Sequence, residues 1–187
     1  YAIHAEYNIV PRNLLTPLPE GVDFESAAFT TLAAIALHGF RLAEPQVGET
    51  VTIIGMGLLG LLAGQIAAAS GCRVFGVDTN PARVALANTL GLSSCLREKA
   101  VESMQAFSAN RGADVVLICA DTSSNDPVEL AAAVPFRDPD AFELGHRSLD
   151  LDEERGVGVV RRWLVEEDHA YPEALQLLED EHEIGVL

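Results

Sequence analysis

The stretch VTIIGMGLLG, Val51 to Gly60, decides the fold. It sets Gly55, Gly57 and Gly60 at the spacing G-x-G-x-x-G directly behind a short apolar run. The uncharged segment around it, from Thr50 to Cys72, is long enough to span a bilayer, and Gly60 with Gly64 would then form a G-x-x-x-G helix contact. Against a membrane span stand the polar Gln65, five glycines (55, 57, 60, 64 and 71), and a hydrophobic period that switches from strand-like to helical at Gly55. A strand, a tight turn and a helix account for all of these.

Outward from that turn, the same alternation continues. RVFGVD is a second strand, completing strand, helix, strand within about thirty residues, the length of a parallel crossover unit. NPARVALANTLG supplies a further helix, with Asn80 as its cap and Pro81 at its first position. ADVVLICAD gives the next apolar strand, and DPVELAAAV begins another helix. Upstream, FESAAFTTLAAIALHGFRLA carries small and apolar residues at helical spacing and reads as one buried helix with Gly39 near its end, and EPQVGET is a turn. YNIVPRNLLTPLPEGVDF reads as a strand-like piece followed by punctuation at Pro17, Pro19 and Gly21, as in a crossing between domains. Strands alternating with helices predict an α/β chain with a Rossmann-type, doubly wound parallel sheet.

Composition narrows the function classes. The 187 residues are 49% apolar and carry a net charge of −16, with one lysine, Lys99, against eleven arginines. Such a surface is the wrong sign for tracking phosphates, so neither a nucleic-acid nor an anionic-membrane partner is expected. Cysteines 72, 95 and 119 are odd in number, lie in apolar surroundings and form no C-x-x-C pair, which predicts neither a disulfide framework nor a zinc cluster and fits a reducing, cytoplasmic setting. From Asp150 to Leu187 twelve acidic residues stand against three arginines, a net of −9, which reads as a solvated face. Leu175 and Leu178 keep helical spacing within it.

In the crossover each glycine has a task. Gly55 permits the tight turn off the strand, Gly57 lets the backbone approach a pyrophosphate without a Cβ in the way, and Gly60 lets the helix lie close to the strands. The helix N-terminus then offers unpaired N–H groups and partial positive charge to phosphates. Asp78 closes the second strand 23 residues after Gly55, where a carboxylate accepts from both adenosine ribose hydroxyls and repels a 2′-phosphate. NAD is therefore the expected cofactor, ahead of NADP. A solvated strand end or a cap for the following helix is the plainer account of Asp78.

With those residues in place, the chain resembles the medium-chain dehydrogenase/reductase superfamily, the zinc-type alcohol dehydrogenases and their zinc-independent relatives. The similarity runs through HAEYNIVPRNLLTPLPEGVDFESAAFTTLAAIALHG, VTIIGMGLLGLLAGQIAAASGCRVFGVDTNPARVALANTLG and GADVVLICADTSSNDPVELA. AAFTTLAAIALHG and SSNDPVELA have near counterparts in a branch often fused to a second oxidoreductase domain. The resemblance implies that residues 1–20 end a GroES-like catalytic β domain and its crossing segment, that 21–170 form the NAD-binding Rossmann domain, incomplete after 132, and that 171–187 form a helix returning towards the catalytic domain. It places Gly55, Gly57 and Gly60 with Leu58 and Leu59 at the pyrophosphate, Asp78 and Arg83 at the adenosine ribose, and Cys119 and Ala120 on the adenine and ribose side. Thr31, with Thr30 beside it, matches the helix-start position that packs on nicotinamide in relatives; hydroxyls bonded to their own helix backbone explain the pair equally well.

The departures are informative too. The superfamily's catalytic zinc is held by Cys and His ligands of a domain not in this stretch, the four-cysteine structural lobe is missing from it, and none of the histidines (4, 38, 146, 169, 182) has a ligand spacing. Zinc is not expected in this segment, His38 reads as a packed core residue, and no catalytic residue can be named. The function implied is an NAD-dependent oxidoreductase passing a hydride between nicotinamide and an alcohol, aldehyde or ketone, acting on a small-molecule substrate, with a homo-oligomer left open. The other class of function is a non-catalytic NAD-binding sensor or assembly module. After DPVELAAAV a doubly wound domain calls for another apolar strand, yet PFRDPDAFELGHRSLDLDEERG is polar, with no strand pattern until Val157. The sequence is therefore expected to join separate pieces of a longer chain, with residues missing near Ala132, Asp150 and Glu167, and Tyr1 is taken as an internal start.

Overall fold

The computed structural model describes residues 7–120, 122, 124–135, 150–152 and 157–160. The chain divides into two compact units, Tyr1–Thr31 and Leu32–Leu187. In the first, the only regular structure before residue 24 among the described residues is a short 3-10 turn, Arg12–Leu14. The strand-like segment expected there is not formed: a strand needs a neighbour to satisfy its backbone, and Ile9 and Leu14 stand exposed.

The single buried helix expected next is also corrected, because it breaks at Ala28 and Phe29. It becomes α1, Phe24–Ala27, and α2, Thr30–Leu42. Asp23 starts α1 by accepting the Ser26 amide at 2.6 Å and the Ser26 hydroxyl at 3.1 Å. Those hydrogen bonds hold its carboxyl below the usual aspartate range. No residue of α1 is buried, while α2 buries Ala36, Gly39 and Phe40, with Gly39 in its last turn.

In the second unit the elements follow the pattern read from the sequence. β1 is Thr50–Ile54, α3 is Leu58–Ala69, β2 is Arg73–Asp78 and α4 is Pro81–Thr89. Asn80 caps α4 by accepting the Ala82 amide at 2.8 Å, and Pro81 stands at the helix start. Two elements passed over in the sequence follow: β3, Ser93–Leu96, and α5, Ala100–Ser108. β4, Val115–Ile118, and α6, Asp126–Ala133, complete the alternation. Among the described residues no helix is long and apolar enough to cross a membrane; the uncharged run from Thr50 is divided between β1 and α3.

The sheet order is β3-β2-β1-β4, all parallel, extended beyond β4 by β6, Val157–Val160, and β5, Asp150–Asp152. Here the sheet departs from a wholly parallel one. β6 runs antiparallel to β4, with Val116 opposite Val160, and β5 runs antiparallel to β6. The strand beside β4 is thus the one that begins at Val157, where the sequence resumes a strand pattern, and it runs antiparallel. The expected C-terminal helix over 171–187 and the break near Glu167 lie outside the described residues.

Successive residues of β1 face opposite sides, and each side has its own core. Val51 and Ile53 pack with Val74, Val115 and Leu117 against Ala36 and Phe40 of α2, Ala63 and Ala67 of α3, and Ala87 of α4. Ile54 packs with Phe75, Val77, Val116 and Ile118 against Ala100 and Met104 of α5 and Leu130 and Ala131 of α6. β1 is buried along its whole length, as a central parallel strand must be. Each large aliphatic side chain taken from water there contributes about 1.5–3 kcal/mol. Asp114 seals the entrance to β1: its carboxylate accepts the Thr50 amide at 2.8 Å while its own amide donates to the Thr50 carbonyl at 2.9 Å. Arg97 clasps Asp126 at the start of α6 through two nitrogens, at 2.6 and 3.0 Å. That contact ties the end of β3 to α6.

Candidate functional site

After β1 the chain crosses to β2 and β3 on one side and then returns to β4 on the other. β1 and β4 therefore flank the point where strand order reverses, and ligands of open α/β sheets bind outside the carboxyl ends of the strands at such a point. The glycine turn sits there.

Gly55 has φ +97°, a conformation that side chains rarely adopt. Its amide donates to the Val77 carbonyl at 2.8 Å, and the Cys119 amide donates to the Ile54 carbonyl at 2.7 Å, so the turn is held between β2 and β4. A Cβ at Gly55 would lie 2.7 Å from the Ala120 nitrogen and 2.8 Å from the Cys119 carbonyl carbon. Gly60 is confined just as closely, since a Cβ there would run into the Gly55 carbonyl oxygen. Its task is more specific than closeness to the strands: it lets the first turn of α3 pass over the glycine turn itself.

Gly57 is different. It occupies the N-cap of α3 with φ −71°, no side chain caps the helix, and a Cβ built there meets nothing within 4 Å. Nothing in the described protein requires glycine at this position. The opening lies beside the free N–H groups of a 12-residue helix whose first turn carries no acidic residue. A small anionic group fits that combination of open space, N–H donors and partial positive charge. Leu58 beside it is 46% exposed, whereas Leu59 turns inward against the first core cluster.

Asp78 ends β2, buried to 6% exposure. Its Oδ2 accepts the Met56 amide at 2.7 Å, its Oδ1 accepts the Asn80 amide at 2.7 Å, and an Arg83 guanidinium nitrogen lies 3.7 Å from Oδ2. Arg83 reaches in from an exposed position on α4. Sequence reasoning missed Met56, which is fully buried behind the turn, where a Cβ at Gly76 would lie 2.5 Å from its sulfur. The signal was a glycine interrupting the apolar run of β2.

Cys119 and Ala120 follow β4 on the other side of the turn and pack against the two core clusters. Burial pushes the Cys119 thiol up to about 12. It is therefore a protonated thiol at neutral pH, unsuited to nucleophilic attack or metal ligation. The unfolded cysteine ionises near 9.0 and the folded one near 12, so between those values only the unfolded chain releases the proton and stability falls as pH rises. Cys119→Ala is expected to make that alkaline fall shallower, read from urea midpoints between pH about 8 and about 11. An unchanged slope would mean that the thiol is not held protonated.

The structure thus brings Gly55, Gly57, Leu58, Leu59, Gly60, Asp78, Arg83, Cys119 and Ala120 to one edge of the sheet. Thr31 belongs to the N-terminal unit, where it is exposed on the first turn of α2. His38 is half-buried within α2. Among the described residues no group of three or more His, Cys, Asp or Glu side chains is arranged to hold a metal ion.

Comparison with known proteins finds relatives of this part of the chain. The family of zinc-binding dehydrogenases matches residues 59–133. Galactitol 1-phosphate 5-dehydrogenase of Escherichia coli K12 is 34% identical over 108 residues, 57% of this chain and 31% of that protein. The crystal structure of galactitol-1-phosphate dehydrogenase from Escherichia coli is similar with a TM-score of 0.59 at 32% identity, over 69% of this chain and 38% of that one. The quinone oxidoreductase of Thermus thermophilus, solved also in complex with NADPH, has a TM-score of 0.56 at 30% identity, over 66% of this chain and 41% of that one. The chain spans about a third of the length of the curated relatives it matches. A glycine turn at the strand-order reversal, an acidic residue closing β2 and these likenesses agree: residues 59–133 match the zinc-binding dehydrogenase family, and the chain is similar to the zinc-type alcohol dehydrogenase-like proteins of the medium-chain dehydrogenase/reductase superfamily.

Proposed function

We propose that the chain is the cofactor-binding part of an NAD-dependent oxidoreductase that passes a hydride between nicotinamide and an alcohol, aldehyde or ketone. The observation that carries this is the pairing of an open helix N-terminus at Gly57 with a buried, ionisable acceptor at Asp78, across one tight turn. When bound, the nicotinamide supplies the hydride chemistry. The chain's own residues bind and orient: backbone N–H groups from Gly57 onward neutralise the pyrophosphate, and Asp78 with Arg83 fixes the adenosine ribose. Cys119 and Ala120 wall the adenine side. Substrate selection and the catalytic residues reside in sequence beyond this cofactor segment. The three free thiols at Cys72, Cys95 and Cys119 suit a reducing, cytoplasmic compartment.

Incubating the full-length protein with NAD and a panel of alcohols, while following reduced nicotinamide, tests the activity. Binding of NAD with no turnover of any alcohol, aldehyde or ketone would reject it. Cofactor choice is tested separately, since a structural relative was solved with NADPH. The Asp78 carboxylate would face a 2′-phosphate with like charge, so NAD should bind more tightly than NADP. Asp78→Ser should narrow the preference and weaken NAD by tenfold or more, from two lost hydrogen bonds at about 1 kcal/mol each. Equal affinities of the unmodified chain for NAD and NADP, by calorimetric titration, would remove Asp78 from the ribose site.

A further inference from the structure

Asp78 is committed before any cofactor arrives. Each of its oxygens already accepts a backbone amide, Met56 on Oδ2 and Asn80 on Oδ1, both at 2.7 Å. Met56 is the residue between the first two glycines of the turn, and its side chain is locked against Gly76 of β2. Together with the Gly55 amide on the Val77 carbonyl at 2.8 Å, the turn is fastened to the end of β2 at three successive points. One fastening is a carboxylate. An ionised carboxyl has about four acceptor sites, so two remain for hydroxyl donors after the amides are served.

We propose that Asp78 is a positioning residue for the glycine turn as well as a ribose acceptor, so that the adenosine end and the pyrophosphate end of the site are coupled through one carboxylate. This rests on the dinucleotide-binding function proposed above. The requirement for an anion follows from the fold. Asparagine offers an oxygen to only one of the two amides and sets an N–H against the other, and serine reaches neither pair of positions together. Releasing the Met56 amide leaves a buried donor unsatisfied and loosens the turn whose N–H groups face the pyrophosphate. A substitution made to relax selection against a 2′-phosphate therefore also weakens the grip on the part of the ligand common to both cofactors.

The test separates the two roles by removing the ribose contribution from the ligand. The full chain and its Asp78→Asn and Asp78→Ser variants are titrated with NAD and with an NAD analogue whose adenosine ribose lacks both hydroxyls. If Asp78 acted through the ribose alone, all three proteins would bind the analogue equally. Coupling predicts that both variants bind it about fivefold more weakly or worse. Amide hydrogen exchange without ligand supplies an independent readout: the Met56 amide should be protected in the unmodified chain and released in Asp78→Ser, while the Val51 amide in β1 stays protected and reports an intact sheet. Equal analogue affinities, or a Met56 amide already exposed in the unmodified chain, would overturn the proposal. If the unmodified chain bound neither ligand, the dinucleotide function would fail and the coupling with it, while Met56 protection would still decide the structural strut.

Discussion

Gly55→Ala is expected to lower the unfolding free energy by about 4 kcal/mol. Two costs add. At φ +97° an L-residue is strained, which costs on the order of 1–3 kcal/mol. The new methyl also meets backbone atoms, the Ala120 nitrogen at 2.7 Å and the Cys119 carbonyl carbon at 2.8 Å, and overpacking typically costs a further 1–3 kcal/mol. Neither atom can rotate aside, because Cys119 is tied to β1 by its own amide. Against a total stability of about 5–15 kcal/mol the loss is large. Chemical denaturation of the full chain measures it, and a change within about 0.5 kcal/mol would show that the turn is free to relax.

Gly57→Ala should do the opposite. Its φ of −71° suits any residue, and a methyl there meets no protein atom within 4 Å. Stability should therefore stay within about 0.5 kcal/mol of the parent. NAD binding, however, should weaken on the order of a hundredfold, because the methyl occupies the space through which the pyrophosphate approaches the N–H groups of α3. The pair of variants separates what the fold needs from what the ligand needs. A Gly57→Ala chain that kept full NAD affinity would move the pyrophosphate away from this helix.

The legible parts of the fold were those where short-range chemistry and long-range packing agree. β1, α3, β2 and α4 announced themselves through a change of period at Gly55, the β-branched run before it and the Asn80–Pro81 start signal. β3 did not, because Ser93–Leu96 lies partly open to solvent and two of its four residues are serines; its pairing with β2 makes it a strand, not its own composition. The break between α1 and α2 was hidden because alanines continue the helical pattern through it. The antiparallel β6 was beyond reach for a different reason: direction within a sheet is set by how the intervening chain travels, and a four-residue apolar run carries no sign of it.

At the site, the glycines and Asp78 were legible from spacing, and the division of labour between Gly55 and Gly57 was not. Both are glycines in one motif. One is demanded by the protein's own backbone and the other stands beside empty space, and only three-dimensional proximity to Ala120 distinguishes them. The Met56 and Asn80 amides as partners of Asp78 were equally invisible, since backbone donors have no letter in the sequence.

The fastening of the turn to β2 makes ligand affinity a check on assembly. β1 and β2 pair with Ile54 opposite Val77, which places the next positions, the turn and Asp78, within reach of each other. A slip of one residue would reverse the faces of the whole strand and set Val77 or Thr79 where the carboxylate belongs. Such a chain could still be compact and apolar inside, yet its turn would have neither an anchor nor a ribose acceptor. Retention on an immobilised dinucleotide would therefore sort molecules by strand registration, a defect that secondary-structure content alone does not reveal.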